Sequence, residues 1–219
     1  MTKRAERNQI LDTRFFEEEP LILAPALLGK ILRRKVTLQQ KTYWLSARII
    51  ETEAYYLREK GSHSSLGLTE SRKAMFMPAG TIYMYYARGS DSLNFSALGE
   101  GNAVLIKSGY AWIDSISPEE NLSVMQFLNP LNGRTRPRER LCAGQTLLCR
   151  SLQLRVVDWN GKNLDPGEFY LADTGEVPDA VVQCTRLGIP RGRDEHLPYR
   201  FVDSGYARYC TRNPLVKHS

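Results

Sequence analysis

A mixed α and β fold, its strands mainly antiparallel around one core, is what this sequence predicts, and three observations carry that prediction. The chain has 219 residues with 42% hydrophobic content, enough for a sizeable core in one domain rather than two. Three stretches read as strands: "YWLSARIIETEAY" (43–55), "GTIYMYY" (80–86) and "GNAVLIKSG" (101–109). Two segments beyond them carry helix signals, "SPEENLSVMQFLNP" (117–130) and "GQTLLCRSLQL" (144–154).

Each element has its own reason. Residues 1–14 are charged and lack apolar periodicity, so they read as a loose arm ahead of a single domain over 15–219. A helix is predicted from Pro20 through Leu32, because Leu23, Leu27 and Ile31 recur at helical spacing, with Gly29 its weak point. In 43–55 the odd positions run Tyr43, Leu45, Ala47, Ile49, Glu51, Glu53, Tyr55, so one face passes from apolar to acidic to aromatic. A Pro-Ala-Gly turn introduces 80–86, which places Tyr83 and Tyr85 on one face. The run 101–109 is apolar until Lys107, as a central strand would be. Ser117 as N-cap, Pro118 at the first helical position and Glu120 in a capping box predict the start of the helix over 117–130. The 144–154 helix ends in the turn-rich "DWNGKNLDPGE", and "CTRLGIPRGRDEHLPYRFVDSG" (184–205) mixes a strand-like end with a basic, Gly-rich loop.

Thirty Lys and Arg against 24 Asp and Glu leave a net charge of +6, which suits a polyanionic partner. The charge gathers in "KILRRKVTLQQK" (30–41), in "RTRPRER" (134–140) and in Arg186, Arg191 and Arg193. Phosphates are the sharper reading of these clusters and solvated faces the blander one. "MTKRAERNQI" has no apolar signal region, and "LILAPALL" is too short to span a bilayer, so a soluble cytoplasmic protein without membrane attachment is expected. Cys142, Cys149, Cys184 and Cys210 form no C-x-x-C, which predicts free thiols and no metal. The signatures of zinc deaminases, phosphate-binding loops, dinucleotide-binding folds and α/β-hydrolases are absent from the sequence, and no cofactor is expected.

A carboxylate at the mouth of an apolar strand is costly unless paired or hydrogen-bonded, and a functional site is one reason to keep it. Glu53 is therefore a candidate general base, and Glu51 is its rival if the strand is twisted or bulged at Thr52. Taken alone, each candidate has an ordinary alternative. Both glutamates could reach solvent, the tyrosines could be strand packing, His63 a loop histidine, and Asn94 a turn cap.

The order "APALLGKIL", "ETEAYYLREKGSHSS", "MFMPAGTIYMYY", "LNFSALGEGNAVLIKSG", "RLGI", "LPYRF" spans most of the chain. It resembles the alkyladenine (3-methyladenine) DNA glycosylase family. That resemblance implies a compact domain with a curved antiparallel sheet flanked by helices, and a monofunctional glycosylase that excises damaged purines without cutting the strand. It implies Glu53 as the base activating water for attack on C1′ of a flipped-out nucleotide. Tyr55, His63 and Tyr85 match the rings that contact the flipped base, and Asn94 matches the asparagine at the pocket floor that helps exclude guanine.

Three positions depart from the family pattern. Where a wedging tyrosine is usual, "YMYYARG" has Arg88, with Tyr86 two positions earlier as a substitute. Lys107 replaces the arginine that usually ends the "AVLIR"-like strand, keeping the charge but not the bidentate fork. The loops between Tyr55 and His63 and between Tyr85 and Asn94 are each one residue shorter than in the family versions compared. Arg186 and the other arginines are expected on phosphates of damaged double-stranded DNA, bound by a monomer. The leading reading is a glycosylase of base-excision repair acting on alkylated or deaminated purines. The alternatives are a damage-binding relative without turnover and an RNA-binding domain.

Overall fold

A computed structural model describes residues 8–87 and 89–216. The strands are β1 (Gln9–Ile10), β2 (Ile31–Leu38), β3 (Lys41–Tyr55), β4 (Ile82–Ala87), β5 (Ser90–Ser96), β6 (Ala103–Ala111), β7 (Phe169–Asp173), β8 (Val181–Cys184) and β9 (Arg200–Asp203). All pair antiparallel in an open sheet of order β1-β7-β2-β3-β6-β5-β4, with β9 branching from β3 and β8 from β9. The helices are α1 (Pro20–Ala26), α2 (Glu120–Leu128), α3 (Gln145–Ser151) and α4 (Val156–Trp159). The mixed, mainly antiparallel architecture is the one the sequence predicts.

Alternation along the strands sorts residues between two sides of the sheet. Leu45, Ile49, Ala54, Ile82, Met84, Phe95, Val104 and Ile106 join Leu23, Leu27, Val124, Met125 and Leu148 of the helices in the main core. Ile50 faces the other way, into a smaller cluster with Val202, Ala207 and Cys210.

β3 organises the molecule because it changes partners midway. Its first half pairs with β2, with Arg48 opposite Ile31, and its second half pairs with β9, with Glu51 opposite Val202 and Glu53 opposite Arg200. β6 runs along the other edge, with two offsetting register shifts between Ile49 and Thr52. Ile50 is the extra residue on β3 and Lys107 the extra residue on β6, so the ladder resumes in step at Thr52 opposite Ile106.

Several local expectations are corrected. The predicted helix over 20–32 ends at Ala26, and Ile31 begins β2. Gly29 makes the turn at φ +83°, where a Cβ would lie 2.6 Å from the Glu176 carbonyl oxygen. Only glycine satisfies both conditions. α2 starts at Glu120, without a side-chain cap, because the Ser117 hydroxyl donates to the Trp44 carbonyl instead. Of the predicted arm, residues 1–7 lie outside the described residues, whereas Gln9 and Ile10 pair with Asp173 and Ala172 of β7.

The first two basic clusters are largely scaffold. Lys30 pairs with Asp173 at 2.9 Å, and Arg33, fully buried, pairs with Asp114. Arg34 lies 4.9 Å over the Trp159 ring. Arg136 is buried, donating to the carbonyls of Asn129 and Pro130, and Arg138 donates to that of Ala111. Arg134 and Arg140 stay exposed. A positive run in the sequence thus supplies internal counterions before it supplies a surface.

Candidate active site

One transverse row crosses five strands. Tyr83 on β4 lies opposite Asn94 on β5, Asn94 opposite Leu105 on β6, Leu105 opposite Glu53 on β3, and Glu53 opposite Arg200 on β9. Cross-strand partners point to the same side of a sheet. The period that sends Met84, Phe95, Val104 and Ala54 into the main core therefore sends this row to the opposite side.

A cavity of about 860 Å³ opens there, lined among others by Tyr55, His63, Tyr83, Tyr85, Asn94 and Lys107. That volume lies within the range of small-molecule sites, roughly 300–1,000 Å³. Tyr55, His63, Tyr85, Asn94 and Lys107, all singled out from the sequence, thus meet at one place.

Glu53 lies behind this wall, with no exposed surface. Its Oε2 accepts from the Tyr55 hydroxyl at 2.7 Å and its Oε1 from the Leu187 backbone N–H at 3.0 Å. The Lys107 ammonium is 3.5 Å away. Tyr55, Leu187 and Lys107 all line the cavity, so every partner of the carboxylate borders that space. Burial and the negative charge of Glu53 push the Tyr55 hydroxyl well above its usual pKa, which keeps it a proton donor.

Further aromatic rings line the same cavity. Tyr83 and Tyr85 stack with centroids 5.6 Å apart, and His63 meets Tyr85 edge-on at 4.3 Å while its Nδ1 lies 3.2 Å from the Tyr83 hydroxyl. Crowding by these rings, with the positive Arg72 and Arg193 nearby, lowers the His63 pKa below the imidazole norm. Burial raises the pKa of Tyr83 and of Tyr85. Asn94 lines the cavity, its Nδ2 donating to the Tyr83 carbonyl at 3.1 Å.

Glu51, the rival carboxylate, is equally buried but sealed differently. Arg200 Nε donates to its Oε1 at 2.6 Å, and its Oε2 accepts from Ser108 Oγ and from the Thr211 N–H at 2.9 Å. A bulge does occur on β3, but at Ile50 rather than at Thr52, and in an offset pair that returns Glu53 to the row.

Arg186 is a correction. Its side chain has no exposed surface, pairs with Glu59, donates to the Ala54 carbonyl at 2.8 Å and stacks 4.5 Å from the Tyr55 ring. Glu59 and Ala54 hold it behind Tyr55, out of reach of a phosphate. Tyr86 lines the cavity and is 57% exposed on the β4–β5 hairpin, whose last pair is Ala87 with Ser90. Arg88, its rival as a wedge, lies outside the described residues.

Sequence reasoning missed Leu187 and the segment 143–147, which borders the cavity at the start of α3. A backbone N–H leaves no side-chain signature to find. Tyr83 did carry a signal, since it shares a strand face with Tyr85. Among the described residues no group of three or more His, Cys, Asp or Glu is placed to hold a metal ion, and no helix is long and apolar enough to cross a membrane.

The family model described as methylpurine-DNA glycosylase matches residues 14–207. A protein of Pseudomonas syringae pv. tomato named "Putative 3-methyladenine DNA glycosylase" is 60% identical over 206 residues, which cover 94% of this chain and 91% of that protein. One of the same name from Pseudomonas aeruginosa is 60% identical over 203 residues, 92% and 83% of the two chains. Another from Carboxydothermus hydrogenoformans is 30% identical over 197 residues, 88% and 94%.

Proposed function

The chain belongs to the methylpurine-DNA glycosylase family and is a DNA glycosylase, and from that premise we propose that it excises 3-methyladenine-type and deaminated purines rotated out of duplex DNA, with Glu53 activating the water. The observation that carries this reading is the placement of a buried carboxylate against the wall of a tyrosine-lined cavity, each of its partners bordering that cavity.

A base inside the stack cannot be reached, so the nucleotide must leave it at a cost of a few kcal/mol, about, which is smaller for damaged or mispaired bases. The cavity offers the rings of Tyr55 and Tyr85 to the extruded purine. An alkylated purine carries positive charge, and a tyrosine face attracts a cation by about 0.5–2 kcal/mol. Such a base is also a good leaving group. One carboxylate directing water at the developing oxocarbenium centre then suffices, without an acid on the leaving group. Of the contacts to Glu53, the one to Lys107 is the longest, and it yields most readily to a water or a sugar entering beside it. Tyr86 supplies the side chain that fills the vacated stack, and Arg134, Arg140 and Arg191, all exposed, are available to phosphates. Monomeric action in the cytoplasm fits this chemistry.

The deciding experiment is single-turnover release of free 3-methyladenine from methylated duplex by the wild type and by Glu53→Gln. The wild type releases base, and the variant loses about 10²- to 10⁴-fold in rate, the usual worth of a general base, while still binding an abasic-site duplex. Preference for lesion-bearing DNA without base release by the wild type would make this a damage-binding protein instead.

A further inference from the structure

Two consecutive residues, Arg186 and Leu187, grip three consecutive residues of β3. Leu187 gives its N–H to Glu53 Oε1 at 3.0 Å. Arg186 donates from Nη1 to the Ala54 carbonyl at 2.8 Å and lies 4.5 Å from the centre of the Tyr55 ring, whose hydroxyl holds Glu53 Oε2 at 2.7 Å. Both of the closer donors to Glu53 therefore hang on Arg186, one through a peptide bond and one through a ring contact. Arg186 itself is fully buried and takes no part in the cavity wall.

The grip falls where the sheet leaves an edge open. β9 pairs with β3 only from Glu51 to Glu53. At Ala54 the N–H donates to the Tyr199 carbonyl at 2.8 Å, and the Ala54 carbonyl on the same edge needs a donor that no strand supplies. Arg186 is that donor. Its countercharge is Glu59, which also accepts from the Tyr56 N–H at 3.1 Å and so ties the guanidinium to the residue after Tyr55. Nε and Nη2 of Arg186 have no hydrogen-bond partner among the described residues. Buried polar groups are ordinarily hydrogen-bonded, so this arginine gives up two donors for its contact with the Tyr55 ring.

We propose that Arg186 is a positioning residue for base excision, which through Ala54, Tyr55 and Leu187 fixes the direction of the Glu53 carboxylate while touching neither the extruded base nor the DNA. The inference rests on the reading of Glu53 as the group that activates water. Its force comes from how steeply such chemistry depends on placement: an error of about 1 Å at the reacting groups can cost about 10²-fold in rate. The arginine acts before DNA arrives, by keeping both carboxylate oxygens on fixed donors.

The test uses the full chain and two variants. Arg186→Met combined with Glu59→Gln removes both charges together, so that neither is left buried alone, and keeps an acceptor for the Tyr56 N–H. Arg186→Lys keeps the charge and loses the planar fork. Single-turnover release of 3-methyladenine from methylated duplex is expected to fall about 10- to 100-fold in each, with binding to an abasic-site duplex within about twofold of the wild type. Amide hydrogen exchange in the DNA-free protein gives a readout that needs no catalysis: the Leu187 amide is expected to exchange about tenfold faster in both variants while the amides of β2 keep their wild-type rates. A wild-type excision rate in either variant overturns the proposal, as does loss of rate and binding together. Should the double variant fold poorly, the lysine variant decides, and unchanged Leu187 exchange in it overturns the positioning role of Arg186. Failure of the wild type to release base, read separately, counts against the reading of Glu53 instead.

Discussion

Glu51 and Glu53 stand two residues apart on β3, neither with any exposed surface, yet their neighbourhoods differ in kind. Around Glu51 a guanidinium at 2.6 Å, a hydroxyl and a backbone N–H complete a rigid ion pair, and Arg200 spends a further nitrogen on the Arg212 carbonyl. Around Glu53 the cation is a lysine at 3.5 Å, and the closer donors are a tyrosine and a loop N–H. The contrast teaches that equal burial can hide different surroundings. Glu51 is matched in charge at short range by a guanidinium, and of its partners named here Thr211 alone reaches the cavity wall; Tyr55, Leu187 and Lys107 around Glu53 all border that space.

That contrast can be broken by measurement. The largest effect on stability is expected from Glu51→Gln, which strands a buried guanidinium and costs about 3–5 kcal/mol, read from urea unfolding. Glu53→Gln in the same assay is expected within about 1 kcal/mol of the wild type, since active-site groups are often kept at the expense of stability. Equal losses from the two substitutions would dissolve the distinction. Next comes the double variant Glu51→Gln with Arg200→Met, which removes the stranded charge. It is expected to recover about 1–3 kcal/mol of the single-variant loss, because replacing a whole buried pair costs far less than breaking it; no recovery would mean that Arg200 matters chiefly through the Arg212 carbonyl.

The smallest effect concerns pH. The His63 pKa lies below its unfolded value, so the unfolded chain binds more protons once the pH drops below about 6.5. The stability owed to neutral His63 is therefore intact above that pH and lost as the pH falls through the lower folded value. Thermal midpoints of the wild type and His63→Gln should keep a constant difference from pH 8 to 7, and the wild type should lose ground to the variant toward pH 5. A constant difference down to pH 5 would place His63 outside the ring cluster.

Much of the site was legible because a period of two is easily read. The odd residues of 43–55 and the pair Tyr83 and Tyr85 point where alternation puts them, and β3 to β6 supply the row. Three things were not legible. Leu23, Leu27 and Ile31 fit one helix face, but the φ +83° turn at Gly29 hands Ile31 to a strand, and periodicity does not see a turn that its neighbours enforce. The basic runs looked like surface because Asp114 and Asp173, which absorb one run, lie far along the chain, and because the acceptor for Arg136, the Asn129 carbonyl seven residues earlier, is backbone and leaves no side-chain signature. Arg186 looked like a phosphate ligand for the same reason, its partners Glu59 and Tyr55 lying more than a hundred residues earlier.

The branch at which β3 leaves β2 for β9 has a consequence for how the protein comes into being on the ribosome. The strands of the main sheet path are all synthesised by Asp173, but the N–H that holds Glu53 comes from Leu187, the cation that seals Glu51 from Arg200, and its last donor from Thr211. These contacts join residues 134 to 160 positions apart, and contacts of such separation form late. The scaffold can therefore assemble on the emerging chain while Glu51 still lacks its guanidinium and Glu53 its loop N–H. A message interrupted before codon 187 would leave both carboxylates with fewer donors than the full chain gives them.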